Sequence, residues 1–219
     1  MRYEHSVLLF RPPGVYRPQG DTRLLAEALR SARVGLRVLD VGTGTGVLAL
    51  AAARGGAARV IAVDSCARAV FAARVNAWLR GLPVRVVRSD LFEAVTGEVF
   101  DVIVANPPYV CSDGLAQAGA STHVWDGGFD GRGVLDRLCC AAPPLLAPGG
   151  MLLLVQSALC GVQATVERLR SQRLRVAVVA RRQEPFGPVM RARAAHLERR
   201  GLIGPEQRYE DLVVIRAER

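Results

Sequence analysis

The sequence predicts an α/β fold of the doubly wound kind, a largely parallel sheet with helices on both faces, and three observations lead there. Short β-branched runs alternate with longer Ala/Leu/Arg stretches of helical period, and parallel neighbours require such helical crossovers. The first strand runs straight into the glycine turn Gly42-Thr43-Gly44-Thr45-Gly46 and then a helix, at the carboxyl edge where such sheets bind ligands. The chain has 219 residues, 50% of them apolar, with no repeat, low-complexity tract or dividing linker. One core can run to about 250 residues, so 1–219 is expected to be a single domain.

The elements follow in order. A helix is expected at 21–31, inside an N-terminal cap segment, 1–33. The first strand, 37–41, carries Asp40 into the glycine turn, and the Ala/Leu-rich stretch 46–54 is the helix behind it. Strand 60–63 (Val-Ile-Ala-Val) closes on Asp64 and is followed by the Ala/Arg-rich helix 67–81. Strand 84–88 closes on Ser89 and Asp90, and strand 99–105 on Asn106. Helices at 131–146 and 161–173 flank strand 151–156, and strands at 174–180 and 212–216 complete a count of seven. Between the last two lies a basic insertion, 183–208, expected either to contact a macromolecule or to cover the sheet as an amphipathic helix.

Composition bounds the function. The net charge of +9 is built from 29 arginines and no lysine, with a pI near 10.3. Such an excess suits a polyanionic partner, but total absence of lysine beside abundant Ala, Gly, Val and Arg reads more readily as compositional bias. The excess is uneven: residues 161–219 hold 13 arginines against 7 acids. High apolar content excludes general disorder. No window reaches the roughly eighteen uninterrupted apolar residues of a membrane-spanning helix, so no membrane partner is expected. The N-terminus shows no leader, and the five cysteines form no C-x-x-C pair and have no His at ligand spacing. Reduced thiols, a cytoplasmic location and no metal are the expectation.

The chemistry concentrates at the strand ends. Gly44-x-Gly46-x-x-Ala49 fits a dinucleotide fingerprint, with Asp64 at a plausible distance for a ribose, so an NAD oxidoreductase stays open on this feature alone. Asp40, Asp64 and Asp90 each close a successive strand; one such acid is easily a helix cap, but three are not. Asn106-Pro107-Pro108-Tyr109 follows the fourth strand. Two prolines fix φ and remove donors, so the turn presents acceptors. The Asn106 side-chain oxygen and the Pro107 carbonyl can each hold one N–H of a planar amine, aiming its lone pair and stabilising developing positive charge. Tyr109 offers a face for the planar group. An NAD enzyme has no use for this loop.

Asp40-x-Gly42-x-Gly44-x-Gly46 resembles motif I of class I S-adenosylmethionine (SAM) methyltransferases. With the Asn106 loop, the segment 15–22 (Val-Tyr-Arg-Pro-Gln-Gly-Asp-Thr) and 125–132 (Trp-Asp-Gly-Gly-Phe-Asp-Gly-Arg), the chain is similar to the HemK family, in its short eukaryotic and archaeal branch. That family methylates the glutamine of the Gly-Gly-Gln loop in peptide-chain release factors. The resemblance implies a Rossmann-like sheet with an antiparallel last strand and SAM as cofactor. Thr22, Asp40, Gly42, Thr43, Gly44, Gly46, Asp64, Ser65, Asp90, Leu91 and Asn106 would line the cofactor site, with Asp64 on the ribose hydroxyls and Asp90 on the adenine amine. Asn106, Pro107, Pro108 and Tyr109 would bind substrate, with Asn106, Pro107 and Tyr109 catalytic. A release factor-like protein is then the expected partner, with a small activating subunit, and the Arg-rich end leaves RNA open. The competing readings are an exocyclic-amine methyltransferase acting on adenine in RNA or DNA, and a catalytically silent SAM-fold subunit. His123, Trp125, Ser112 and Asp113 fall in the expected substrate-facing loop.

Overall fold

The computed structural model describes residues 8–30, 36–111 and 127–219. The elements run α1 (Gly20–Leu29), β1 (Arg37–Val41), α2 (Val47–Arg54), β2 (Arg59–Asp64), α3 (Ala67–Trp78), β3 (Val84–Arg88), β4 (Phe100–Ala105), α4 (Gly133–Ala141), β5 (Leu146–Ser157), α5 (Val162–Ser171), β6 (Arg175–Pro185), α6 (Pro188–Arg199) and β7 (Tyr209–Glu218). The seven strands form one sheet in the order β3-β2-β1-β4-β5-β7-β6. Pairing is parallel from β3 through β5, and β7 runs antiparallel to both its neighbours. Its central strands are buried on both faces: Leu39, Ile61, Ile103, Leu152 and Leu154 are fully enclosed. Such strands read as continuous apolar runs rather than alternating ones.

This order brings the chemistry together. The chain leaves the sheet in opposite directions after β1 and β4, which makes a crevice at their carboxyl ends. Val41 pairs with Ala105 and Val63, so the glycine turn, Asp64 and Asn106 emerge side by side. At the opposite edge, Arg37 donates to Asp101 through its backbone N–H, Nε and Nη2, at 2.8, 3.0 and 2.8 Å, and so holds the β1–β4 register.

Two expectations need correction. The stretch 131–146 is not one helix: α4 stops at Ala141, Pro143–Leu145 makes a 3-10 turn, and β5 already begins at Leu146. Pro143 and Pro144 supply no N–H to continue a helix. The strand expected at 174–180 runs on to Pro185, because Gln183, Glu184 and Pro185 pair with Asp211, Glu210 and Tyr209. The basic insertion therefore starts as sheet and continues as α6, whose Met190, Ala194 and Leu197 are buried at helical spacing beside Phe186. Residues 188–199 thus supply the helix of the amphipathic reading, with one buried apolar side. Among the described residues no helix is long and apolar enough to cross a membrane.

Candidate active site

The turn after β1 is shaped by what it must avoid and what it must hold. Gly42, Gly44 and Gly46 all take positive φ, at 69°, 55° and 85°. A Cβ on Gly46 would stand 3.1 Å from that of Ala73, so this glycine lets the turn pack against α3. At Gly44 a Cβ would meet nothing within 4 Å, and that face is open. The N–H groups of Gly42 and Thr43 donate to Val63, at 2.9 and 3.0 Å, stitching the turn to β2.

Asp40 lies behind this turn, fully buried, its Oδ2 accepting from Thr43 Oγ1 at 2.6 Å and from the Ala49 N–H at 3.0 Å. Burial pushes its carboxyl up to about 7 in spite of those two donors. Asp64 accepts from the Gly44 N–H at 2.9 Å on one oxygen and from the Cys66 N–H at 2.8 Å on the other. Burial raises its pKa as well, with the two N–H groups opposing the rise. Asp90 receives Arg137 Nη2 at 2.6 Å.

A cavity of about 440 Å³ opens over this edge. Thr22, Gly42, Thr43, Gly44, Asp64, Ser65, Asp90, Leu91 and Asn106 line it, with Pro107, Pro108, Val134, Arg137 and Leu138. Asp40 and Gly46 do not. They were expected on the cofactor, but Asp40 is spent holding the turn and Gly46 on packing against α3. Arg137 was not foreseen, and nothing in its local sequence sets it apart from the other arginines.

A second cavity, of about 720 Å³, lies on the other side of the Asn106 loop. Asn106, Pro107 and Pro108 line both cavities, together with Gly14, Val15, Tyr16 and Pro18 of the N-terminal segment. Tyr109 lines only the second. Its ring is 9% exposed and its hydroxyl donates to Asp21 Oδ2 at 3.0 Å. The expected free aromatic face is therefore largely enclosed, and the residue anchors the loop.

Asp21 is the hub that sequence reasoning missed, although it sits in the Gln19-Gly20-Asp21-Thr22 signature. Its Oδ2 accepts from Tyr16 and Tyr109 hydroxyls, at 2.7 and 3.0 Å. Its Oδ1 accepts from the Thr22 N–H and Oγ1, at 2.5 and 3.1 Å. Burial first, and the Asp21 charge next, hold both phenols above their usual pKa, so they remain donors. Four donors fill the four lone-pair positions of the carboxylate. The direction of the next bond follows. Thr22 has a single hydroxyl proton, given to Asp21, so toward Asn106 it can only accept. Asn106 Nδ2 donates to it at 3.2 Å, which leaves Asn106 Oδ1 free of that bond and on the other side of the amide.

The far end of the loop is braced by the glycine-rich segment before α4. The Gly127 N–H donates to Val110 at 2.9 Å, and Cys160 Sγ donates to the Tyr109 carbonyl at 2.9 Å. Gly131, at φ 74°, abuts that same carbonyl, and a Cβ there would come 2.8 Å from Cys160 Sγ. Two basic residues are used here: Arg193 donates to the Cys111 carbonyl and Arg200 to that of Phe129, each at 2.6 Å. Arg200 also lies 3.7 Å over the Phe129 ring. Ser112, Asp113, His123 and Trp125 lie outside the described residues.

A family model described as the methyltransferase small domain matches residues 9–184. The chain belongs to the methyltransferase small domain family. Within it, this methyltransferase is 38% identical over 179 residues to a protein of Methanocaldococcus jannaschii named, by inference, as a protein N5-glutamine methyltransferase, covering 81% of this chain and 90% of that one. It is 36% identical over 149 residues to the release factor glutamine methyltransferase of Geobacter sulfurreducens, covering 64% of this chain but 52% of the relative. The methyltransferase thus spans about half the length of that bacterial relative. Among solved structures, the E. cuniculi Mtq2–Trm112 complex, responsible for methylation of the eRF1 translation termination factor, matches with a TM-score of 0.68 and 26% identity, over 94% of this chain and 99% of that one. These relatives agree with the resemblance to the HemK family drawn from the motifs.

Proposed function

We propose that this methyltransferase moves the methyl group of SAM to the side-chain amide nitrogen of a glutamine in a release factor-like protein. The observation that carries the reading is the wall formed by Asn106, Pro107 and Pro108 between the two cavities. A cofactor on one side and a planar amide on the other would meet at that wall.

The first cavity fits SAM in kind. Its volume lies within the usual range of about 300 to 1,000 Å³ for small-molecule sites. Each Asp64 oxygen is fixed by one N–H and keeps a lone pair for a ribose hydroxyl. Leu91, Val134 and Leu138 give an apolar wall for a planar base, and Asp90 lies beside them as an acceptor. Bound there, SAM supplies an electrophilic methyl on a sulfonium whose positive charge disappears in the reaction.

The protein's task on the acceptor side is alignment. An amide nitrogen is nucleophilic only as its lone pair leaves conjugation, and acceptors on both N–H bonds favour that change. Asn106 Oδ1 and the Pro107 carbonyl fill this role, and Thr22 fixes which end of the Asn106 amide is presented. Holding both reactants at a rigid Pro-Pro turn supplies orientation rather than a base.

A small activating subunit belongs to the same proposal. Phe71 and Trp78 of α3, with Leu79 just after it, are all more than half exposed, Trp78 at 78%, next to the edge strand β3. Such apolar exposure suits a protein partner. The adenine reading rests on the same loop chemistry, and the two part on the acceptor. Purified enzyme with methyl-labelled SAM, offered a release factor and total RNA together, is expected to label the protein; label confined to RNA refutes the glutamine reading.

A further inference from the structure

The buried face of α3 is alanine and valine except at Asn76, which is wholly enclosed. An amide in such a place is costly unless its polar atoms find partners, and here they do. Asn76 Oδ1 accepts from the Phe10 N–H at 2.8 Å. Its Nδ2 donates to the Phe10 carbonyl at 2.9 Å and to the Thr45 carbonyl at 3.0 Å. The two bonds to Phe10 copy the N–H and C=O exchange between facing residues of an antiparallel ladder, so the side chain holds Phe10 as a strand would. The third bond reaches into the glycine turn after β1. Ala73, three residues earlier and on the same face of α3, is where Gly46 of that turn packs.

The two segments that Asn76 ties together are both walls of the first cavity. Thr45 lines it from the turn, and Gly14, Val15, Tyr16 and Pro18 line it from the N-terminal segment. That segment reaches the cavity between two anchors. Tyr16 is held by Asp21, and Phe10 by Asn76. Arg80 and Phe71 support the second anchor: Arg80 Nη2 donates to the Leu8 carbonyl at 2.6 Å, and the Phe71 ring meets that of Phe10 edge-on at 5.8 Å. Between the anchors the chain turns, with the Val15 N–H on the Pro12 carbonyl at 3.2 Å. We infer that Asn76 is a positioning residue for the cofactor: by joining the glycine turn to the N-terminal segment it sets the width of the cavity that takes SAM. It lines neither cavity itself. The Asn106 loop is held separately, through Thr22 and Asp21, so loss of Asn76 acts on the cofactor and leaves the alignment of the acceptor in place.

The test uses the full chain. Asn76→Ala removes all three bonds, and calorimetry is expected to show the Kd of SAM and of its demethylated product each rising about tenfold or more, the size of one or two hydrogen bonds. The kcat at saturating SAM is expected to fall by no more than about threefold, a split between binding and turnover that a general loss of structure would not give. In the cofactor-free protein, hydrogen exchange over residues 10–15 is expected to quicken by about tenfold or more. Arg80→Ala removes the Leu8 bond at the surface and is a milder second variant, expected to raise the Kd of SAM about twofold to fivefold. Circular dichroism checks both folds. Unchanged SAM affinity in folded Asn76→Ala, or a loss of kcat with SAM affinity intact, overturns the inference. Should Asn76→Ala not fold, unchanged SAM affinity in Arg80→Ala does the same.

Discussion

Asn106 serves a reacting amine only when its oxygen, not its nitrogen, faces the acceptor, and this orientation is decided one residue away. Thr22 accepts from Asn106 because its own proton is committed to Asp21. Thr22→Val keeps the shape and removes both bonds, so kcat is expected to fall about tenfold or more while Thr22→Ser restores most of it. SAM affinity, measured by calorimetry, should change little by comparison in the Ser variant; a Val variant with full kcat would dismiss the relay. Asp40 gives a second residue-level prediction. Its carboxyl stands at about 7 in the folded chain against 3.8 ordinarily, chiefly through burial. Between those values the folded chain keeps a proton that the unfolded chain has released. Stability from this group is therefore present below pH 3.8 and lost as pH rises toward 7, by up to about 1.4 kcal/mol per pH unit. Asp40→Asn cannot titrate, so its Tm should gain on the unaltered protein between pH 5 and pH 8. A constant Tm difference would contradict the assignment.

At the scale of elements, the loop between β4 and α4 works because it is gripped at both ends. Asp21 and Thr22 hold its start and Gly131 with Cys160 its end. Gly131→Ala places a Cβ against the Tyr109 carbonyl at a positive φ. A loss of about 1 to 3 kcal/mol is expected, read as a drop of several degrees in Tm, with kcat falling more than SAM affinity. An unchanged kcat would mean that the brace does not reach Asn106. Much of this architecture is legible in the sequence. Strand 37–41 was expected with its exact bounds, since an apolar run ending in glycines has few other uses. The acids closing β2 and β3 and the Asn106 loop were legible as well, because they follow strand ends directly. Asp40 misled: its position beside the glycines shows neighbourhood in sequence, but not on which side of the turn its carboxylate falls. Asp21 was illegible because its meaning depends on contacts between segments far apart in the chain. The extension of β6 was hidden for the same reason, as polar residues at an edge strand carry no apolar alternation.

For the whole molecule, charge is arranged rather than merely abundant. The +9 excess suggested a polyanion, and the wall of the second cavity mixes four arginines with three acids. Some of the C-terminal arginines hold the catalytic segment together: Arg193 and Arg200 bind the Cys111 and Phe129 carbonyls. The basic insertion thereby lengthens the edge strand β6 and supports the catalytic segment. The central claim is that Asn106 presents a glutamine amide to the methyl donor, and mapping the methyl group tests it most directly. A release factor incubated with SAM and either the unaltered enzyme or Asn106→Ala is digested and examined by mass spectrometry. The account predicts one methyl on a glutamine side chain with the unaltered enzyme and none with the variant, which still binds SAM within about twofold. A methyl on any other residue, or undiminished glutamine methylation by Asn106→Ala, would contradict it.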